Sequence, residues 1–491
     1  MPEKKDVAGA VTSWVDSRLG LSHPLLRPVP EYALNPFYWL GALAVVAFVI
    51  QGVTGMILML YYIPSPTQAY SSTQYIFQNV SNGRFLETVH LYTAYAMIML
   101  AFMHMIRGYF VSVQKKPREA MWVVGMLMGF ITLGFGFTGY LLPWTVVSYS
   151  ATHVGVGMVN ALPQPLSNLL NFLIVGSSGD AGELLRFFDL HVVILPAVLL
   201  ILLVVKMYML EAHGVADPTS GRTSVARAKT IPIFPDVTVY LLELSLLFGA
   251  GMLLVSALFP LNLPPEYSAL TAGQATPQPD WYFLWIYQVL KISVFDVGGG
   301  LAAALTVVTL LFVVLIVLPF IDRGTTRDIS RRPVYITLGL IFVGELALLS
   351  YWGYVTPGAT IPTEQAALVI GGTALLIALG SLATYRLLYS KAKARLQTVP
   401  AARLPRTEAR SGIAFTALVA TGAVSIGTLL NSVIGIVLGD HSVTSVALLA
   451  SSAAILALDV LASVYLIYRL DLRTGGIRRR VKALEVGWRE S

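Results

Sequence analysis

Cysteine does not occur once in the 491 residues. Its absence excludes structural disulfides, iron–sulfur clusters held by this chain, Cys-ligated zinc and thioether-attached haem. Any cofactor must be held by histidine, carboxylate, amine or thioether. Charge is scarce too: 12% of residues are Asp, Glu, Lys or Arg, against 56% hydrophobic, and the mean hydropathy is +0.72. That balance excludes an ordinary soluble domain and implies a polytopic membrane protein. No cleavable leader is expected, because MPEKKDVAGAVTSWVDSRLG is polar and lacks an apolar core followed by small residues. The N-terminus is therefore expected to stay on the side where it is made.

What the chain does have is long apolar runs. A span of about 20 apolar residues crosses the hydrocarbon core. Ten such runs lie near 37–62, 86–111, 121–142, 188–210, 237–259, 300–321, 334–355, 365–388, 413–437 and 444–469. Of the 33 basic residues, all but Arg84, Arg186, Lys291 and the intramembrane Lys206 fall on one side of this array. The positive-inside rule makes that side cytoplasmic, with both termini on it, in the plasma membrane. The net charge of +7 is then topology signal and anionic-lipid contact, not a nucleic-acid surface. The long opposite-side connections, 143–187 and 260–299, are poor in charge and rich in Pro, Gly and aromatics. They read as segments lying along the outer face, open to a lipid-soluble ligand.

Only seven histidines occur, and His90, His104 and His191 fall inside spans. His90 and His104 are fourteen residues apart, which is ~3.9 turns and ~21 Å of rise, so they share one helix face at two depths. His191 and Lys206, fifteen apart, are separated by ~4.2 turns and ~22 Å and share a face as well. The two helices run the same way, which puts His90 level with His191 and His104 level with Lys206. A lone membrane histidine is more often a packing residue, but two stacked pairs of nitrogen donors are what two axially ligated haems require. Gly41 and Gly55, and Gly125 and Gly139, repeat the fourteen-residue spacing on the neighbouring spans, leaving room where haem rings lie. Glycine alone is a common packing device in membranes; the shared spacing is what sets these apart.

With these residues in view, positions ~30 to ~390 resemble cytochrome b of the Rieske–cytochrome b quinol-oxidising complexes. The resemblance is carried by HLYTAYAMIMLAFMHMIRGYF, KKPREAMW, FGFTGYLLPW, RFFDLHVVILP, PDWYFLWIYQVLK and RRPV. It implies an all-α membrane protein with a four-helix dihaem bundle and two non-covalent haems, b-type or a modified archaeal variant. His90 and His191 would hold the outer haem and His104 and Lys206 the inner one. It implies a quinol site near the outer face, between a stretch with Pro143 and Tyr149 and a motif of Pro279, Asp280, Trp281 and Tyr282. Asp280, standing where the family usually has Glu, would act as general base. The implied partners are a Rieske iron–sulfur protein, a terminal oxidase or other electron acceptor, membrane lipid and a second copy of the chain. The cysteine-free, fused chain looks like archaeal members, some of which sit in quinol-oxidase supercomplexes.

Several positions depart from that pattern. Lys206 stands where the family has its fourth haem histidine, leaving three readings: His/Lys ligation, a five-coordinate inner haem, or no inner haem. His213 is too far along the helix to replace it. At the inner quinone site Asp236 matches a family carboxylate, whereas Glu211 stands where a basic residue or His is usual. Glu87 replaces a usual propionate-pairing arginine, with Arg84 one turn away as the substitute. His153 is a candidate proton relay, and Glu243, Glu345 and Asp459 are intramembrane carboxylates without an assigned role. The expected organisation is a segment 1–36, a dihaem bundle 37–210, a connection 211–236, a C-terminal domain 237–390, and a linker, extra hairpin and basic tail over 391–491. The competing class is a proton-coupled transporter without haem, which predicts internal repeats and broken helices.

Overall fold

A computed structural model of the chain describes residues 28–30, 34–176, 180–213, 230–268, 278–295, 300–324 and 332–398. The chain divides into two compact units, Met1–Lys391 and Ala392–Ser491, and the description concerns the first. Among the described residues eight helices are long and apolar enough to span a membrane: Leu40–Met59, Gly83–Phe110, Glu119–Leu141, Gly182–His213, Thr238–Leu258, Leu301–Ile321, Pro333–Val355 and Thr363–Arg386. They are called the first to eighth spans. The runs expected at 413–437 and 444–469, with Asp459, lie outside the described residues. Outward faces carry exposed Leu247, Leu254, Leu368 and Leu376, as lipid in place of water demands. The protein is a multi-pass, all-α membrane protein.

The first four spans pack as a bundle. Halfway along each, between the glycine and ligand positions, Ala47, Met97 and Leu199 are buried together with Phe48, Met128, Ile131 and Phe135. This apolar layer divides the bundle interior into two storeys, named outer and inner, like the two sides of the molecule, after the orientation expected from the basic residues.

The fourth span has a π turn at Leu190–Ile194, in which the Leu195 N–H bonds to the Leu190 carbonyl. Pro196 follows at once and has no N–H to give the Val192 carbonyl, so the α ladder is already interrupted there. A π turn holds one residue more than an α turn. The fifteen residues from His191 to Lys206 therefore behave in phase like the fourteen from His90 to His104.

On the outer side, Thr145 caps the helix Val146–Ala161 by accepting the Ser148 N–H at 3.2 Å. Trp144, just before it, is buried at φ 52, a left-handed conformation that costs energy in a bulky residue. Its indole packs with Ala69 and Leu184 under Tyr62 and Tyr149. The chain then pairs with the second outer connection through the Thr145 and Glu266 bridge and the Val146 N–H to Pro265 carbonyl bond. The short turn Trp281–Phe283 leads into the helix Leu284–Leu290, which lies so close to the seventh span that a Cβ on Gly353 would meet the Leu284 carbonyl at 2.6 Å.

On the inner side, Lys115 binds Asp322 at 2.5 Å and the Gly324 carbonyl, Arg332 pairs with the same carboxylate, and Gln114 bridges Asp322 to Tyr335. This clasp ties the loop after the second span to the ends of the sixth and seventh. An antiparallel pair, Pro28–Pro30 with Thr230–Pro232, joins the segment before the first span to the start of the fifth.

Candidate functional site

The structure brings His90 and His191 face to face in the outer storey, ring centres 6.4 Å apart and planes at 69°. A metal ion bonded to two imidazoles at about 2 Å each sets the ring centres roughly 6 Å apart. The gap fits such an ion. Two threonines settle which ring nitrogen is available. Thr54 gives its hydroxyl proton to the Ile50 carbonyl at 2.7 Å and meets His90 Nδ1 at 2.8 Å. Thr138 gives its proton to the Gly134 carbonyl at 2.8 Å and meets His191 Nδ1 at 3.0 Å. With each hydroxyl proton spent on a carbonyl, each Nδ1 must be the N–H donor, and each Nε2 keeps its lone pair for a metal.

The glycines are seats for the His and Lys side chains themselves. A Cβ at Gly55 would lie 3.3 Å from His90 Cε1, and one at Gly139 2.7 Å from His191 Cε1. In the inner storey a Cβ at Gly41 would lie 3.1 Å from His104 Cε1, and one at Gly125 2.9 Å from Lys206 Nζ. Lys206 and His104 act on one another electrostatically. Lys206 has no hydrogen-bond or carboxylate partner among the described residues. Among the described residues His104 Nδ1 is buried without a hydrogen-bond partner, and no threonine precedes Gly41 or Gly125. An imidazole and an amine, each in a glycine notch and close enough to act on one another, suit a ligand placed between them.

The second cluster lies beside the outer storey. Asp280 accepts from Tyr95 of the second span at 2.8 Å through Oδ1, and from Tyr282 at 3.1 Å through Oδ2. The Tyr282 hydroxyl also reaches the Gly136 carbonyl of the third span at 3.1 Å. Trp281 packs edge-on against Tyr95 and Tyr282. Pro279 is half-buried beside them, and Tyr140 donates to the Gln278 carbonyl at 3.4 Å. Burial pushes the Asp280 carboxyl above its ordinary range, against the two tyrosine hydrogen bonds, and burial pushes the Tyr282 phenol well up. Phe137 stands next to Phe283 and Phe187, with Gly155 making room for its ring. Behind it, between Gly134, Thr138, Val156 and Leu195, is an apolar cavity of about 230 Å³.

Other expected residues go elsewhere. Tyr149 stacks on Tyr267 at 3.5 Å and meets the exposed His153 edge-on; Pro143 is half-buried at the entry to the same segment. Arg84 donates to the Leu261 carbonyl at 2.6 Å and to Asn262 at 2.7 Å, so it serves the outer loop and not the bundle. Glu211 and Asp236 are both exposed, at the inner ends of the fourth and fifth spans. Glu345 accepts from Thr373 of the eighth span at 2.7 Å, and Glu243 is exposed. Sequence reasoning missed Thr54, Thr138 and Tyr95. The repeated Thr-Gly pair, in VTGM and FTGY, was the signal for the first two.

The family model described as cytochrome b/b6/petB matches residues 27–214, and that described as cytochrome b (C-terminal)/b6/petD matches residues 273–372. The cytochrome b subunit of the cytochrome bc complex of Chlorobaculum thiosulfatiphilum is 32% identical over 72% of this chain and 83% of its own length. Cytochrome b of Sulfolobus acidocaldarius is 31% identical over 76% of this chain and 70% of its own. A solved chain of a hyperthermophilic respiratory Complex III superposes with a TM-score of 0.63 at 26% identity, covering 76% of this chain and 96% of that one.

Proposed function

This chain belongs to the cytochrome b family, and from that premise we propose that it is the cytochrome b subunit of a bc-type respiratory complex that oxidises quinol near the outer membrane face. The observation that carries the reading is the adjacency of two preparations. Paired imidazoles with free Nε2 atoms occupy the outer storey between the second and fourth spans, and the second span through Tyr95, with the third through Gly136, holds the Asp280 motif beside them. Family membership replaces the transporter reading.

His90 and His191 would hold one haem and His104 and Lys206 a second, which when bound would supply one-electron carriers embedded in the membrane. Quinol surrenders two electrons and two protons. A Rieske iron–sulfur partner takes one electron on the outer side, and the other enters the bundle. The protein's own share is positional and acid–base. Asp280, buried and raised in proton affinity, accepts a quinol proton at a carboxylate oxygen. Tyr282 stays protonated and so remains a donor. The apolar wall of Phe137, Phe187 and Phe283 keeps water from the reacting end.

In the inner storey the Lys206 amine, neutral when bound to metal, and His104 are the ligands we assign; Asp236 and Glu211 flank a proposed inner quinone site. Two copies of the chain form the core of the complex. Redox difference spectra of the purified complex test this reading. Quinol-reducible haem bands, two haems per chain, and their slow reduction in Asp280→Asn are the expected result; a chain without haem bands overturns it.

A further inference from the structure

The two oxygens of Asp280 are not equivalent. Tyr95 offers its hydroxyl to Oδ1 at 2.8 Å and has no second acceptor at that distance. Tyr282 has one proton and two acceptors at the same 3.1 Å, Oδ2 of Asp280 and the Gly136 carbonyl. A fixed donor therefore serves one oxygen and a donor with an alternative serves the other.

We propose that Tyr95 is a positioning residue for quinol oxidation: it pins Oδ1 as a permanent acceptor, so that Oδ2 is the oxygen that takes the quinol proton. In that step the quinol O–H bond breaks and the Oδ2–H bond forms. The new Oδ2–H donates to the Tyr282 oxygen, whose own proton turns to the Gly136 carbonyl. The negative charge passes from the carboxylate to the quinol oxygen, and the electrons then leave from that anion to the acceptors already named. Oδ1 keeps its Tyr95 bond in both protonation states, which holds the short aspartate side chain in place throughout. The titratable groups facing the carboxylate are Tyr95 and, one turn outward, Tyr92 from the second span, Tyr140 from the third and Tyr282 from its own turn. The inference rests on the reading of Asp280 as the base.

A hydrogen bond to a carboxylate favours its charged form, and losing one raises its proton affinity. In the intact complex, Tyr95→Phe is expected to move the acid limb of the kcat profile for quinol oxidation upward by about one pH unit, as befits one charge-assisted bond. Quinol KM and both haem spectra should stay as in wild type. Tyr282→Phe should move the limb less, since Tyr282 shares its proton with Gly136. An unmoved limb in Tyr95→Phe, or a larger shift in Tyr282→Phe, overturns the division of roles, provided Asp280→Asn is impaired. Full activity in Asp280→Asn instead overturns the base reading beneath it. Should Tyr95→Phe fail to assemble, the infrared carbonyl stretch of protonated Asp280, identified by its loss in Asp280→Asn, decides the matter in the wild type: a hydrogen-bonded frequency supports the inference and a free one sinks it.

Discussion

The outer and inner storeys of the bundle share a plan and differ in finish. Both place a donor from the second span opposite one from the fourth, and both seat each donor on a glycine of a neighbouring helix. The outer storey adds a threonine one residue before each glycine, and those hydroxyls fix the tautomer of His90 and His191. The inner storey has Leu40 and Val124 at the same places, leaves His104 Nδ1 unpaired and offers an amine in place of the second imidazole. Ligand spacing is thus the shared requirement, and orientation of the ligands is a separate one that only the outer storey meets with side chains. A rigid outer pair suits its place beside the proposed quinol site, where misplacement by an ångström would be costly in rate.

Removing a ligand should separate the storeys most sharply. His191→Ala is expected to halve the haem content and abolish quinol oxidation while the inner haem keeps its spectrum, as read by pyridine haemochrome and redox titration. Next in size is Asp280→Asn, expected to lower kcat by about 10²–10⁴-fold with both haem spectra intact. Because burial raises the Asp280 carboxyl, the wild-type rate should fall with decreasing pH through a value above the ordinary carboxylate range, and that limb should vanish in the variant.

Lys206→Ala should change the spin state or potential of one haem only, and Lys206→His should bring the inner storey to bis-imidazole spectra like those of the outer. Two unchanged spectra in Lys206→Ala would rule out amine ligation. A smaller effect is expected of Thr54→Val and Thr138→Val, each weakening outer haem retention by roughly 10–100-fold as loss of a ligand's hydrogen-bond partner does. Leu40→Thr, which copies the outer device into the inner storey, should narrow the inner haem's spectral bands and raise its retention in a competition with apomyoglobin.

How far the sequence revealed this arrangement differs from residue to residue. The level placement of His90 with His191 and of His104 with Lys206 was legible because helical periodicity converts spacing directly into depth and face. The glycines were legible through the same fourteen-residue interval, and the side chains that each one seats became visible only with the helices in place. Asp280 and Tyr282 were legible as a motif. Tyr95 was not: its partner is 185 residues away in the chain, and nothing local marks a tyrosine in an apolar helix as a donor. Arg84 shows the converse error, since one turn of helix was enough to aim it at the outer loop instead of the bundle. Thr54 and Thr138 fell between these cases, visible as a repeated dipeptide but meaningless until the helices were set side by side.

The π turn at Leu190–Ile194 has a consequence for how this fold tolerates change in length. A helix that must present two ligands to fixed points cannot ordinarily gain a residue between them, since everything beyond the insertion rotates by ~100°. A turn that absorbs one residue uncouples the count from the orientation. Homologous helices whose ligand intervals differ by one can therefore build the same cage. Replacing Pro196, and with it the break in the ladder, is the change that would let the turn relax to α and swing Lys206 out of line with His104.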